Sequence, residues 1–349
     1  MKILVITNIF PNSKNPDSGT YVADQVDSLN PFVEIKVVAK TRRSALGFVP
    51  FAFKIGWASL FTKHDLIHAH YGFHSAMLPV LLRRQPLVVT FHGSDALIEP
   101  TRNRCYRYLQ RSVVAHATHL VAVSQQVQAH LVGELGANAK KVSVIACGVD
   151  TERFRFRPRA QARRQLSLLP EMKLALFIGR FTHAKGVDLI KTAASSLKDV
   201  DFYFIGTGPL KWRSSNCHFI GLVDHAHIPQ WLSAADVVLL PSRSEGTPVT
   251  VLEALACETP VICSAVGACP ELIVDGATGL LIPIGDAGSL VTAIQRALSE
   301  VKFDSRLGRD FVVQNFDVKI IAEKLLSLYS GVLSAGKTNG SLHKTSPRA

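Results

Sequence analysis

Short, continuous apolar runs separated by longer amphipathic stretches dominate the chain. Runs at 2–7, 33–39, 66–69, 87–91, 120–123 and 142–145 are rich in β-branched residues and too short for helices, so they read as buried strands. The segments at 19–29, 75–84, 104–116 and 125–134 carry a helical apolar period, with Ser18 and Ser124 placed as N-caps. From about residue 172 the pattern restarts, with strands expected at 174–178, 202–205, 218–220, 237–240 and 261–264 and helices between them. Apolar strands that alternate with helices imply a parallel sheet covered on both faces. Two such series imply two doubly wound α/β domains, at 1–150 and 151–317. Helices follow at 289–299 and 305–315, then a strongly periodic one at 318–333 that is expected to pack back onto the first domain, and a polar tail at 335–349 that is expected to be disordered.

Composition agrees with this division. The 349 residues are 47% hydrophobic and 19% charged, which describes a globular chain with room for two cores. The six cysteines contain no C-x-x-C pair, so reduced thiols in the cytoplasm are expected rather than a disulfide framework. The opening apolar run is too short for a leader and reads as the first strand. The greasiest stretch, 45–61, is interrupted by Pro50 and Lys54 and falls short of the ~20 residues of a membrane span.

The net charge of +12 is spread over both halves, with 16 Lys/Arg against 9 Asp/Glu in residues 1–150 and 23 against 18 in residues 151–349. A polyanionic partner is expected: nucleic acid, an anionic membrane or a phosphorylated small molecule. Nucleic acid is disfavoured, because the charge is scattered and no recognition motif is present. The arginine-rich seam at 150–170 reads either as a solvated linker or as a phosphate- or membrane-facing patch. The segment at 40–63, basic at its ends and aromatic within, reads either as an interfacial element or as a buried helix plus loop.

Ligands of open α/β sheets bind beyond the carboxyl ends of the strands, so strand-end loops are the first place to look for chemistry. After 174–178 come Arg180 and Lys185, five residues apart on a loop that feeds a helix. They read as a diphosphate clamp or as two solvated cations. After 237–240 come Glu245 and, inside the next helix, Glu253; they read as a grip on vicinal hydroxyls or as two solvated acids. Gly206 and Gly208 end another strand, either to admit a ligand or as a plain turn. His92 ends the strand at 87–91, facing a ligand or serving the core. His64, His68, His70 and His74 lack zinc-site spacing. The first β-α turn has no G-x-G-x-x-G, which argues against a dinucleotide oxidoreductase, and the Walker-like string at 331–338 follows a helix rather than a strand.

Singly these signals are weak, but their order resembles the retaining glycosyltransferases of family 4. The matching stretches are Ser18 to Thr20, 68–73 (HAHYGF), 90–95 (TFHGSD), 121–124 (VAVS), 148–150 (GVD), Gly179 and Arg180 with Lys185 and Gly186, Gly206 to Gly208, Glu245 with Glu253, and Gly267 with Pro270 and Glu271. Within the family the first half looks most like bacterial surface-polysaccharide enzymes of the teichuronic-acid type.

The resemblance implies a GT-B architecture, two Rossmann-like parallel-sheet domains facing a central cleft whose closure gates reaction. It implies a retaining, metal-independent transferase (EC 2.4) that needs no cofactor beyond its nucleoside-diphosphate-sugar co-substrate, UDP favoured over GDP. Arg180 and Lys185 would hold the diphosphate, Glu253 the ribose and Glu245 the sugar hydroxyls. Gly19 would admit the phosphate to backbone amides. His92 would lie over the anomeric carbon, and Gly206, Gly208 and Gly267 would line the donor pocket. The acceptor would be lipid-linked or a polysaccharide, for capsule, exopolysaccharide, O-antigen or teichuronic-acid-like glycans, with the enzyme cytoplasmic and peripheral on the inner face of the plasma membrane. The alternative is a GT-B-related nucleotide-sugar epimerase or phosphorylase. The chain departs from the family at Ala146 and Cys147, at Thr247 where Phe is common and at Glu258 where Gly is common, which bears on pocket shape and base preference.

Overall fold

The computed structural model describes residues 1–13, 18–41, 44–82, 84–102 and 104–342. The chain forms two compact units, Met1–Cys147 together with the chain from Lys319 onward, and Gly148–Val318.

The first unit is built on a six-stranded sheet of β1 (Lys2–Thr7), β2 (Glu34–Ala39), β3 (Leu66–His70), β4 (Leu87–Phe91), β5 (His119–Ala122) and β6 (Val142–Val144), in the order β2-β1-β3-β4-β5-β6. Every pairing in it is parallel. Ile3, Leu4, Val5 and Ile6 are all buried, as a strand covered on both faces requires. One face is closed by the helix Val318–Leu342, whose Ile321, Ala322, Leu325 and Tyr329 join Ile3, Val5, Leu66, Val88 and Val121 in a single core. That helix continues past Leu333, so the start of the tail expected to be disordered is helical to Leu342, and residues 343–349 lie outside the described ones.

One further expectation shifts. The first helix, Thr20–Leu29, is entered through Gly19 rather than capped by Ser18: Gly19 has φ 72° and its carbonyl accepts from Val22 and Ala23. A Cβ at Gly19 would stand 2.9 Å from the Ile9 carbonyl oxygen, so only glycine fits. Ser124 does cap its helix, accepting from the Val127 N–H. Residues 48–61 form one uninterrupted helix, because Pro50 falls in the first turn, where no intrahelical N–H bond is lost.

Behind the strand ends of this unit lies a buried polar cluster. His68 bonds the Tyr329 hydroxyl and Thr90 Oγ1, each at 2.7 Å. His70 Nδ1 meets His92 Nε2 at 3.0 Å with the rings stacked. Asp95 accepts from the backbone N–H groups of Gly72 and His92. Burial holds all three imidazoles neutral: His68 and His92 lie well below the usual histidine range, and His70 is pushed down to about 3. Burial pushes the Asp95 carboxyl up to about 7, against the pull of its two N–H donors.

The second unit repeats the design with β7 (Leu174–Ile178), β8 (Asp201–Ile205), β9 (Cys217–Gly221), β10 (Val237–Leu240), β11 (Val261–Ser264) and β12 (Gly279–Ile282), ordered β12-β11-β10-β7-β8-β9 and again parallel throughout. Strand β12 escapes the periodicity reading, being only four residues long and beginning with a glycine. Alternation sends Leu174 and Leu176 to one core and Ala175 and Phe177 to the other. The arginine seam is resolved in part. Arg163, 4% exposed, donates to the Ala234 carbonyl and pairs with Asp236 at 2.7 Å. Asp236 also accepts from Arg159 and from the Leu174 N–H, tying the seam to the start of β7.

Two stability predictions follow from these buried charges. Asp236→Ala leaves the Arg163 guanidinium without its counter-charge and is expected to cost about 3 kcal/mol in denaturant unfolding; an unchanged midpoint would contradict this role. For the histidine cluster, the unfolded chain gains protons on its imidazoles as pH falls through 6.5 and the native state does not, so that stability is complete above this range and is lost on acidification. Asp95 acts oppositely, its contribution fading as pH rises from 3.8 to about 7. Three imidazoles outweigh one carboxyl. Between pH 6.5 and 5, His70 alone is worth about 2 kcal/mol. His70→Gln should flatten the acid limb of a Tm–pH profile, and an acid limb as steep as the wild type's would refute the assignment.

Candidate active site

In the second unit the loops after β11, β10, β7 and β8 emerge side by side, because those four strands are neighbours in the sheet. Backbone contacts bind the loops together. A Cβ on Gly206, whose φ is 131°, would lie 2.0 Å from the Gly179 carbonyl oxygen. The same test on Gly208 and Gly267 meets the carbonyl oxygens of Phe181 and Glu245, at 2.5 and 2.6 Å. The side-chain space missing from these glycines is therefore filled by neighbouring loops: Gly206 and Gly208 bring the β8 loop against the β7 loop, and Gly267 brings the β11 loop against Glu245.

Side chains complete the arrangement. Arg243 grips Asp188 with two bonds, at 2.9 and 2.7 Å, and donates to the His183 carbonyl. This clasp fixes the β10 loop to the start of the Val187–Ser196 helix. Lys185, immediately before that helix, reaches Glu245 with Nζ to Oε1 at 2.7 Å. Glu245 is 9% exposed and the lysine is open to solvent on one side. Arg180 is exposed on the same β7 loop. Glu253, 5% exposed in the Val249–Ala256 helix, receives His225 Nε2 at 2.8 Å, and Arg153 stands 3.1 Å from the other ring nitrogen. Pro248 is the N-cap of that helix.

The structure thus brings Lys185 and Glu245 into direct contact and places Glu253 in a separate, histidine-held position eight residues along the chain. His225 and Arg153 were not singled out by sequence pattern; nothing local marks a histidine 28 residues from the carboxylate it holds. As chemistry, the sheet edge offers two cations beside a helix N-terminus, suited to a diphosphate, and two oriented carboxylates, suited to hydroxyl groups.

In the first unit, Gly19 opens the Thr20–Leu29 helix and His92 follows β4. Both His92 ring nitrogens have neighbours inside the unit, His70 at 3.0 Å and Cys147 Sγ at 3.8 Å. Tyr21 and Tyr71, whose hydroxyls bond each other, pack their rings 5.2 and 4.7 Å from the imidazole. Tyr71 sits at φ 69°, a left-handed conformation unusual for an aromatic residue, directly after β3.

Comparison with known proteins places this arrangement. The model of Glycosyltransferase Family 4 matches residues 17–153, and that of Glycosyl transferases group 1 matches residues 172–300, in the order of the two units. The Bacillus subtilis (strain 168) glycosyltransferase TuaC, assigned to teichuronic acid biosynthesis, is 29% identical over 354 residues, covering 85% of this chain and 89% of its own. Among solved structures, sucrose-phosphate synthase from Thermosynechococcus elongatus superposes with a TM-score of 0.82 at 22% identity, covering 96% of this chain and 100% of that one. Anabaena HepE in complex with UDP-glucose gives a TM-score of 0.77 at 20% identity, covering 95% and 100%. With two parallel-sheet units of the GT-B fold, a family 4 glycosyltransferase domain at 17–153 and a glycosyl transferases group 1 domain at 172–300, the chain is a glycosyltransferase of the GT-B type, in the sugar-transferring class EC 2.4.

Proposed function

We propose that this enzyme moves a sugar, with retention and without a metal ion, from a nucleoside-diphosphate-sugar to a lipid-linked or polysaccharide acceptor in cell-surface glycan assembly. The observation that carries the reading is the pairing of Lys185 with Glu245 on the sheet edge that also bears Arg180 and the His225-held Glu253. HepE, of the same fold, is solved with UDP-glucose, which supports UDP over GDP as the donor base. The assignment of TuaC to teichuronic acid supports a surface glycan.

In this reading the donor diphosphate draws the Lys185 ammonium toward itself and leaves Glu245 to accept hydrogen bonds from sugar hydroxyls. Arg180, exposed and on the same loop, adds a bidentate contact. Glu253, fixed by His225, accepts from the ribose hydroxyls. Cleavage of the anomeric C–O bond leaves charge on the diphosphate, which the two preorganised cations stabilise. The acceptor oxygen bonds the anomeric carbon on the face the diphosphate leaves, and its proton passes to a diphosphate oxygen. Protein cations thus take the charge that a divalent ion carries in other transferases, and no side-chain base is required.

Lys185→Ala and Glu253→Ala are each expected to lower kcat/KM for the donor by about tenfold or more, equivalent to about 1.4 kcal/mol of transition-state binding. The lysine change should act chiefly on kcat and the glutamate change on KM. Wild-type rates in both variants, with folding intact, would remove these residues from the donor site.

A further inference from the structure

The helix Phe48–Phe61 is apolar on both sides. One side, with Phe51, Ile55 and Ala58, is buried in the first unit. The other turns outward: Val49 (73% exposed), Phe53 (75%), Trp57 (51%) and Phe61 (71%) follow Leu46 (80%) at intervals of three and four, one continuous stripe. Lysines frame it. Lys40 Nζ lies 3.6 Å from the centre of the Phe48 ring and Lys36 Nζ 5.2 Å from that of Trp57, while Lys54 and Lys63 stand within and just after the helix. No aspartate or glutamate occurs anywhere in residues 40–63. Between the helix and edge strand β2 runs a groove of about 550 Å³, lined by Phe10, Val38, Phe53 and Trp57 with Lys36 and Lys54 beside them. The neighbouring Arg42 and Arg43 lie outside the described residues.

We infer that this face docks on an anionic lipid bilayer, with the helix lying in the interfacial plane. Fourteen residues span about 21 Å, short of a bilayer's ~30 Å hydrocarbon core, and no helix among the described residues is long and apolar enough to cross a membrane. An apolar stripe with an indole at its middle and flexible lysine stems at its borders matches the boundary between acyl chains and phosphate headgroups. Charge decides against a second copy of this chain: a twofold contact through this face would set the lysines of one copy against those of the other, and residues 40–63 hold no carboxylate to offset them. The inference deepens the proposed reaction by placing the acceptor on a lipid, but docking does not depend on the donor chemistry.

Co-sedimentation of the full chain with phosphatidylcholine vesicles, with and without 30% phosphatidylglycerol, tests this directly. Binding to the anionic vesicles is expected, weakening with salt, together with a blue shift of tryptophan emission that Trp57→Phe abolishes. Lys36→Glu/Lys40→Glu/Lys54→Glu and Phe53→Ser/Trp57→Ser should each weaken binding by roughly tenfold or more, a lysine near an anionic surface being worth about fivefold. All of these positions are at the surface, and an unchanged Tm with an unchanged response to UDP would show that fold and donor site are intact. Three results would overturn the inference: no sedimentation at low salt, equal sedimentation with neutral vesicles, or concentration-dependent self-association that the same substitutions abolish.

Discussion

A parallel sheet puts the carboxyl end of every strand on one edge, and in the second unit that edge gathers most of the charge the site uses. The constraint is topological before it is chemical. With β11, β10, β7 and β8 adjacent, loops distant in sequence must pass within contact distance of each other. Glycine is needed at Gly206 because a side chain there would collide with the Gly179 carbonyl. Once the loops touch, the Arg243–Asp188 clasp holds the approach to the Val187–Ser196 helix, and Lys185 is left pointing at Glu245. A nearly buried carboxylate facing a single ammonium is poised rather than settled. A ligand of higher negative charge can take the lysine, and ligand hydroxyls can then satisfy the carboxylate.

The first unit handles its strand ends differently. There the polar groups are folded inward: His68 bonds Tyr329, His70 bonds His92, Asp95 accepts from the backbone N–H groups of Gly72 and His92, and burial holds the imidazoles neutral. Tyr329 comes from the C-terminal helix, so the end of the chain helps fix the residues after β3 and β4.

Much of the fold was legible because strands buried on both faces must be continuously apolar, and eleven of the twelve were marked in this way. The twelfth, Gly279–Ile282, is hidden because its glycine is needed where a Cβ would lie 2.2 Å from the Val261 carbonyl oxygen, a cross-strand contact no local pattern reveals. The helix at 48–61 accommodates Pro50 because proline disrupts helix interiors but not first turns. Within the site, Arg180, Lys185, Glu245 and Glu253 were visible as residue types at strand ends. Their pairing was not, since the ammonium and carboxylate that meet are 60 residues apart and the histidine that holds Glu253 follows a different strand. The glycines at 206, 208 and 267 each lie against the backbone of a neighbouring loop, a packing that no local pattern reveals.

The central claim is that the second unit holds a nucleoside diphosphate through protein cations alone. The most direct test is the thermal stability of the chain with UDP, GDP, ADP and TDP, each with magnesium and again with EDTA. A ligand at about 100 times its Kd adds about 2.7 kcal/mol to the folded state, enough to be read as a rise in Tm. The account predicts that UDP gives the largest rise and that EDTA leaves it unchanged. No rise with any diphosphate, or a rise that EDTA abolishes, would contradict it.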